Sequence, residues 1–144
     1  MAIVLFDPEL VIARLQAQVA AFKQVAGAAD FAATAAGLVT PPVAFVLPLS
    51  DQPAANALTT QVSQRDVIRF GVAIGVQNLR DVRGQKAATD LRTLRIAVMT
   101  ALLGWQPASG YDPCEFGGGR LIQLTDQVLW WQDDFVTALY LMGD

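Results

Sequence analysis

The stretch RDVIRFGVAIGV, residues 65–76, decides the fold of this chain. Every second residue from Ile68 to Val76 is apolar and bulky, and side chains alternate between the two faces of a strand. One face of this strand therefore belongs to a core. The other face carries small side chains and one arginine. It leaves space for another part of the protein or a partner to approach the backbone closely. The residues of this face are Arg69, Gly71, Ala73 and Gly75.

The elements before this strand are predicted as helices and one short strand. Asp7-Pro8-Glu9 is a typical helix start, and the apolar spacing after it predicts a first helix over about residues 8–26. A short second helix is predicted at 29–37. VAFVL (43–47) predicts a strand that Pro48 ends. Residues 48–62 lack a core pattern, so we expect a long polar connection that reaches a neighbouring subunit or becomes ordered on assembly.

The elements after it are predicted as one helix and a pair of strands. A third helix is expected over about 87–103, with Leu91, Leu94, Val98 and Leu102 on one stripe and Arg92 and Arg95 off it. GGG (117–119) predicts a tight turn into the strand RLIQLT (120–125), and a last strand follows over 128–142. The order α, (α), β, β, α, β, β predicts a single α+β domain over residues 1–144. Two main helices would pack on one mainly antiparallel or mixed sheet of about four strands.

Composition excludes several kinds of chemistry. The chain has no histidine, which removes Ser-His-Asp triads, Cys-His pairs and histidine-ligated metals. Cys114 is the one cysteine, so no internal disulfide can form, a reducing compartment fits, and an inert thiol is expected. No apolar stretch approaches the roughly 18 residues of a membrane helix, and the start lacks the basic region of a secretory signal. We expect no cofactor, no metal and no small-molecule substrate.

The stretch VLWWQDDF, residues 128–135, places large aromatic side chains beside two carboxylates. In a strand, Asp133 and Asp134 point to opposite faces and cannot form a catalytic pair. Trp130 and Trp131 must also lie on opposite faces. Both rows are apolar beyond residue 134, which predicts a strand covered on two sides, by the core on one and by a helix or another chain on the other.

Charge is unevenly distributed along the chain. Residues 61–100 hold seven cations against three acids, net +4, and residues 101–144 hold one cation against six acids, net −5. The cations could follow nucleic-acid phosphates, but Phe70, the one aromatic residue among them, belongs to the core row and offers no stacking platform. We expect a solvated or subunit-facing surface instead.

The order of elements and three short pieces of sequence carry a family resemblance. The pieces are LLGWQP (102–107), YDPCEF (111–116) and WWQDDF (130–135). The chain resembles, over nearly its whole length, the tail terminator (tail completion) proteins of long-tailed bacteriophages. These pieces are recurrent sequence features of the family and not catalytic motifs. The resemblance therefore assigns no functional residues to this chain.

The resemblance implies a structural virion protein without enzymatic activity or cofactor, assembled in the host cytoplasm and located at the head-proximal end of the tail. It implies an α+β subunit of a six-membered ring. That ring would dock on the last ring of tail-tube protein, stop tail polymerisation and present a surface to the head–tail connector proteins. DNA would pass through the lumen without specific binding, and no membrane would be involved.

A ring contact joins two different patches of the same subunit. We expect the basic region 65–95 of one subunit to meet the acidic region 112–134 of the next. One of the two adjacent tryptophans should anchor the core and the other should lie near a subunit boundary. The interface candidates are Trp130, Trp131, Asp133, Asp134, Arg65, Arg69, Arg80, Arg83, Arg92 and Arg95.

Two other functions remain open at this point. The first is another ring protein of the virion, such as a head–tail connector or a tail-tube subunit, and a tube that forms from purified protein would favour it. The second is a small hydrolase or sugar-binding enzyme that uses Asp133 or Asp134, and turnover lost on replacing one aspartate would favour that.

Overall fold

The computed structural model describes residues 3–35, 40–78, 85–125 and 127–143, and these form one mixed five-stranded sheet and three α-helices. The elements in chain order are α1 (Pro8–Gln18), β1 (Gln24–Gly27), α2 (Ala28–Ala35), β2 (Val43–Pro53), β3 (Val62–Gln77), α3 (Gln85–Leu102), β4 (Glu115–Leu124) and β5 (Val128–Gly143). Across the sheet the strand order is β1-β2-β3-β5-β4; β1 and β2 are parallel, and the other pairs are antiparallel. The α+β prediction is confirmed, with one strand more than expected.

Helices α1 and α3 cover one face of the sheet, which we call the helix face. The alternating row of β3 is buried against them, as the sequence predicts. Helix α3 presents its predicted apolar stripe to the same core. The residues are Phe70, Val72, Ile74 and Val76 of β3 and Leu91, Leu94, Val98 and Leu102 of α3.

The opposite face is covered in part by α2. A second, smaller cluster forms there around Trp130, Phe45 and Phe31, whose rings lie within about 6 Å of one another. The room left by the glycines of β3 is filled by side chains of β5. A Cβ at Gly75 would lie 2.8 Å from the Trp130 ring, and one at Gly71 would lie 2.8 Å from Gln132 Nε2. The close approach expected from the sequence therefore comes from the chain itself.

Helix α1 is shorter than predicted. Asp7 caps its start, because its carboxylate accepts the backbone N–H of Glu9 at 3.0 Å. The helix ends at Gln18 instead of residue 26, and the chain turns so that β1 can pair with β2. Phe22 and Val25 are buried in the core. Their burial fits a longer helix as well as a turn followed by a strand, so the apolar spacing could not distinguish these two conformations. Helix α2 ends at Ala35 in the described part, and its predicted end at Gly37 lies outside the described residues.

Less than half of the predicted 48–62 connection is strand, and residues 54–61 form its tip. β2 continues past Pro48 through a register shift between Pro48 and Ser50, and β3 begins at Val62. A proline is tolerated here because the register is already broken. Asn56 organises the exposed tip: its side chain accepts the backbone N–H of Ser63 at 2.8 Å and donates to two backbone carbonyls of the tip. The region is thus a long projecting hairpin with a short tip.

The segment after α3 holds two of the pieces on which the family resemblance rests. Gly104, with φ +79°, turns the chain out of the helix. Its N–H donates to the carbonyl of Cys114, and the N–H of Cys114 donates to the carbonyl of Trp105, each at 2.9 Å. LLGWQP and YDPCEF are therefore joined to each other by backbone hydrogen bonds, and together they bring the chain to the start of β4.

Candidate assembly surface and the charged centre of the sheet

Asp133 points to the helix face and is fully buried there. Arg95 of α3 donates to both of its oxygens at 2.9 Å. The indole N–H of Trp131 donates to Oδ1 at 2.9 Å, and the Arg95 guanidinium carbon lies 4.7 Å from the Trp131 ring centroid. A bidentate pair with a further donor satisfies this carboxylate inside the protein.

Asp134 points to the opposite face, where it has different partners. Arg69 of β3 donates to its Oδ2 at 3.0 Å and Arg120 of β4 donates to the same oxygen at 3.3 Å. Gln132 donates to its other oxygen at 2.8 Å. One carboxylate thus ties three neighbouring strands together by their side chains.

The two aspartates are separated by the thickness of the sheet, as the sequence predicts. Each carboxylate is ion-paired with at least one arginine. The two carboxylates therefore do not face a common substrate position as the acid and base of a catalytic pair would. Within the described ranges, no three Cys, Asp or Glu side chains come together as a metal site would need. What the arrangement does is fix the register and side-chain orientation of the sheet centre.

The glycine run at 117–119 lies inside strand β4, so the prediction of a tight turn is wrong. Its register with β5 shifts between Phe116 and Gly118, and Gly118 has φ +113°. A Cβ at Gly117 would lie 3.0 Å from the Arg69 guanidinium, and one at Gly119 would collide with Asp133 Oδ1. The missing side chains make room for the two ion-pair clusters, one on each face.

The basic and acidic regions meet within one chain. Besides the pairs of Asp133 and Asp134, Arg65 donates to Asp112 at 2.6 Å with both side chains close to half exposed. Asp133 and Asp134 have arginine partners in the same chain, and these pairs therefore do not need a second subunit. Arg92 lies exposed on α3. Arg80 and Arg83 fall outside the described residues.

Trp130 and Trp131 lie on opposite faces, as predicted. Trp130 is 9% exposed and packs in the smaller cluster with Phe45. Trp131 is only partly buried and lies opposite Leu121 of β4 in the register. Both therefore contact their own chain, and a role for Trp131 at a subunit boundary stays a prediction.

Strand β4 is an apolar sheet edge that the sequence reading missed. It pairs with β5 on one side, and among the described residues its other side has no strand. Four large apolar side chains on it are 40–60% exposed. They are Phe116, Leu121, Ile122 and Leu124. The apolar residues of RLIQL predict a strand, but nothing local shows which elements cover it, so its exposure could not be predicted from the sequence.

An open apolar edge is a site for pairing with another chain, and proteins that remain single usually protect such edges with charge or a covering element. The β4 edge has no such covering element among the described residues.

Comparison with known proteins identifies the family of the chain. The family described as "Phage tail terminator protein" matches residues 1–143, and the chain belongs to this family. No curated protein matches it. The chain is thus a structural protein of the bacteriophage tail. None of the helices in the described residues is long and apolar enough to cross a membrane.

Proposed function

We propose that the protein assembles into a closed six-membered ring on the head-proximal end of the tail tube. The ring ends tube polymerisation and presents a surface to the head–tail connector proteins. The observation that carries this proposal is the free β4 edge with its exposed apolar side chains. Burying that edge against another subunit would satisfy both its backbone groups and its apolar surface.

The two edges of the sheet differ, which suits a ring. β1 pairs only with Val43–Val46, so the rest of β2 has no described neighbour on that side. A cyclic assembly joins two different patches, whereas a twofold dimer joins one patch to itself. An apolar β4 edge on one side and a projecting hairpin on the other provide two such patches.

The test uses variants on β4 and a control of equal exposure. Leu121 and Ile96 are each 52% exposed, but Leu121 lies on the sheet edge and Ile96 on helix α3. We expect Leu121→Lys to prevent ring formation and Ile96→Lys to leave it intact. Native mass spectrometry and electron microscopy, with and without purified tail tubes, would measure both.

Three results would contradict the proposal. The first is a parent protein that remains monomeric even with tubes present. The second is a purified protein that polymerises into tubes by itself, which would indicate a tube subunit. The third is a pair of variants that assemble equally well, which would remove the β4 edge from the interface.

The hairpin tip, residues 54–61, is the second part of the proposal. It is exposed along its whole length and internally ordered by Asn56, so it can contact a neighbour without a change in the core. Replacing it by a two-residue turn should leave the subunit folded and weaken its assembly or its capping of tubes. Normal capping by the shortened protein would show that the tip has no such role.

A further inference from the structure

A pocket of about 300 Å³ lies on the helix face between the N-terminal segment and the hairpin. Its walls are mostly apolar, and its polar lining residues are Ser50, Asp51, Asp66 and Arg69, of which Arg69 has its guanidinium paired with Asp134. The apolar walls are formed by Leu5, Phe6, Pro48, Leu49 and Ile68. The pocket thus combines apolar walls with two carboxyl groups.

Asp66 is unlike the other buried acids of the sheet. It is 0% exposed, and among the described residues neither of its oxygens accepts a well-formed hydrogen bond. Asp133 and Asp134, which are nearly as inaccessible, each have at least one arginine. Burial raises the pKa of Asp66, the neighbouring Asp51 raises it further, and the backbone amide of Gln52 opposes the increase.

An unpaired buried carboxyl group destabilises the isolated subunit. An asparagine of the same shape would avoid the additional cost of a buried charge next to Asp51, so the single chain gains no stability from an ionised aspartate here. A polar group that breaks the local rules in this way is typical of a functional contact. The missing partner is a donor that arrives through the pocket.

The shape and charge of the pocket select an arginine side chain. Its aliphatic stem suits the apolar walls, and its planar guanidinium can donate to two carboxyl groups at once. Within the described ranges, Lys23 and Arg92 are the cations for which no ion pair or side-chain hydrogen bond is found. Of these, Arg92 has the guanidinium and extends from the exposed side of α3.

We infer that this pocket receives the Arg92 side chain of a second copy of the chain, with Asp66 and Asp51 accepting its hydrogen bonds. This inference rests on the proposed ring, because it names one of the contacts between adjacent subunits. It also gives the buried aspartate a reason to exist: the subunit is incomplete at this point until its neighbour is bound.

The pocket can be tested without assembly. We expect n-butylguanidinium, added to the isolated chain, to shift the backbone amide NMR signals of Ser50, Asp66 and Ile68. The neutral isostere n-butylurea should shift them far less. Asp66→Asn should abolish the response to butylguanidinium. Equal shifts from both compounds, or no shift with the parent chain, would show that the pocket does not bind a guanidinium group.

The occupant is tested by assembly of variants. Asp66→Asn and Arg92→Gln should each weaken ring formation by roughly a hundredfold, as removal of one partner of a buried charged pair does. Lys23→Gln, the matched control, should assemble like the parent. Rings that form normally from Arg92→Gln would overturn this inference and leave the proposed function standing. A parent that never forms rings would overturn the proposed function and Arg92 as the occupant. Butylguanidinium binding would still show whether the pocket accepts a guanidinium group.

Discussion

The guanidinium of Arg95 donates to both oxygens of Asp133 at 2.9 Å, joining helix α3 to the buried centre of the sheet. The carboxylate has no solvent exposure, whereas the arginine is 28% exposed. The helix therefore meets the sheet through an ion pair as well as through its apolar stripe, and the pair fixes the position of α3 over β5.

Loss of this arginine should be costly. Arg95→Met retains an apolar stem over Trp131 but leaves Asp133 buried with the indole as its one remaining side-chain donor. We expect the free energy of unfolding to fall by about 3–5 kcal/mol. Arg92→Met on the exposed side of the same helix should change it by less than about 0.5 kcal/mol. Urea denaturation of both variants would measure the difference, and equal midpoints would show that the ion pair does not hold the helix.

Replacing a glycine of β4 by alanine should cost more stability than replacing a glycine in an open position. Gly119→Ala places a Cβ against Asp133 and Trp131, so we expect a loss of about 1–3 kcal/mol of stability. Gly27→Ala meets only Ile12 at an ordinary 3.7 Å and should be neutral or stabilise by about 0.4–1 kcal/mol. Thermal unfolding of the two variants tests this. A Gly119→Ala protein as stable as the parent would mean that the Asp133 cluster can move aside.

The adjacent tryptophans should respond differently to truncation. Trp130→Ala empties the smaller cluster, so we expect a loss of about 3–5 kcal/mol. Trp131→Ala removes a partly exposed ring and a cation–π contact with Arg95 worth about 0.5–1 kcal/mol, and its effect on folding should be smaller. Since Trp131 lies beside Leu121 at the open edge, its loss should also impair ring formation. Thermal unfolding and particle size measure the two effects. Identical behaviour of the two variants would contradict the assignment of Trp130 to folding and Trp131 to ring formation.

Asp66 should make stability depend on pH in a defined direction. Its pKa in the folded chain is raised above the ordinary 3.8, so between these two values the native state binds more protons than the unfolded state. The free energy of unfolding of the monomer should therefore fall as pH rises through that window and stay lower above it. The charged group that faces Asp66 in the pocket is Asp51; Arg69 also lines the pocket, but its guanidinium is paired with Asp134 on the opposite face.

Asp66→Asn lacks this titration and should be more stable than the parent at pH 7, with the difference vanishing below about pH 4. Asp30→Asn, at an exposed position, is the control and should follow the parent. Urea denaturation across pH 3–8 measures all three proteins. A parent whose stability rises over this window relative to Asp66→Asn would show that the carboxylate is stabilised in the folded chain.

The parts of the fold that were predictable depend on local alternation. The row of β3, the stripe of α3 and the opposite orientations of Asp133 and Asp134 follow from the period of a strand or helix alone. Residues 19–26 were not predictable, because Phe22 and Val25 are buried whether they extend a helix or form a turn and a strand. The pairing of β1 with β2 decided between these, and that contact is not local.

The candidate site was less predictable for the same reason. The sequence predicts that the basic region of a neighbouring subunit meets these aspartates, whereas the register of β3 with β5 and the position of α3 bring Arg69 and Arg95 of the same chain to them. The glycine run predicts a turn because glycine usually marks one. Its actual cause lies in side chains of other strands, which no local pattern reports.

The pairing of β3 with β5 also determines when the subunit can form during synthesis. Its register joins residues as far apart as Gln77 and Val128 at one end and Val62 and Gly143 at the other. The apolar row of β3 therefore leaves the ribosome with β2 beside it but before β5, its other neighbour in the sheet, exists. Such non-local pairing is slow and exposes the chain to aggregation meanwhile. In the described sheet β4 pairs only with β5, so the edge that we propose for assembly forms after β5 has joined the sheet.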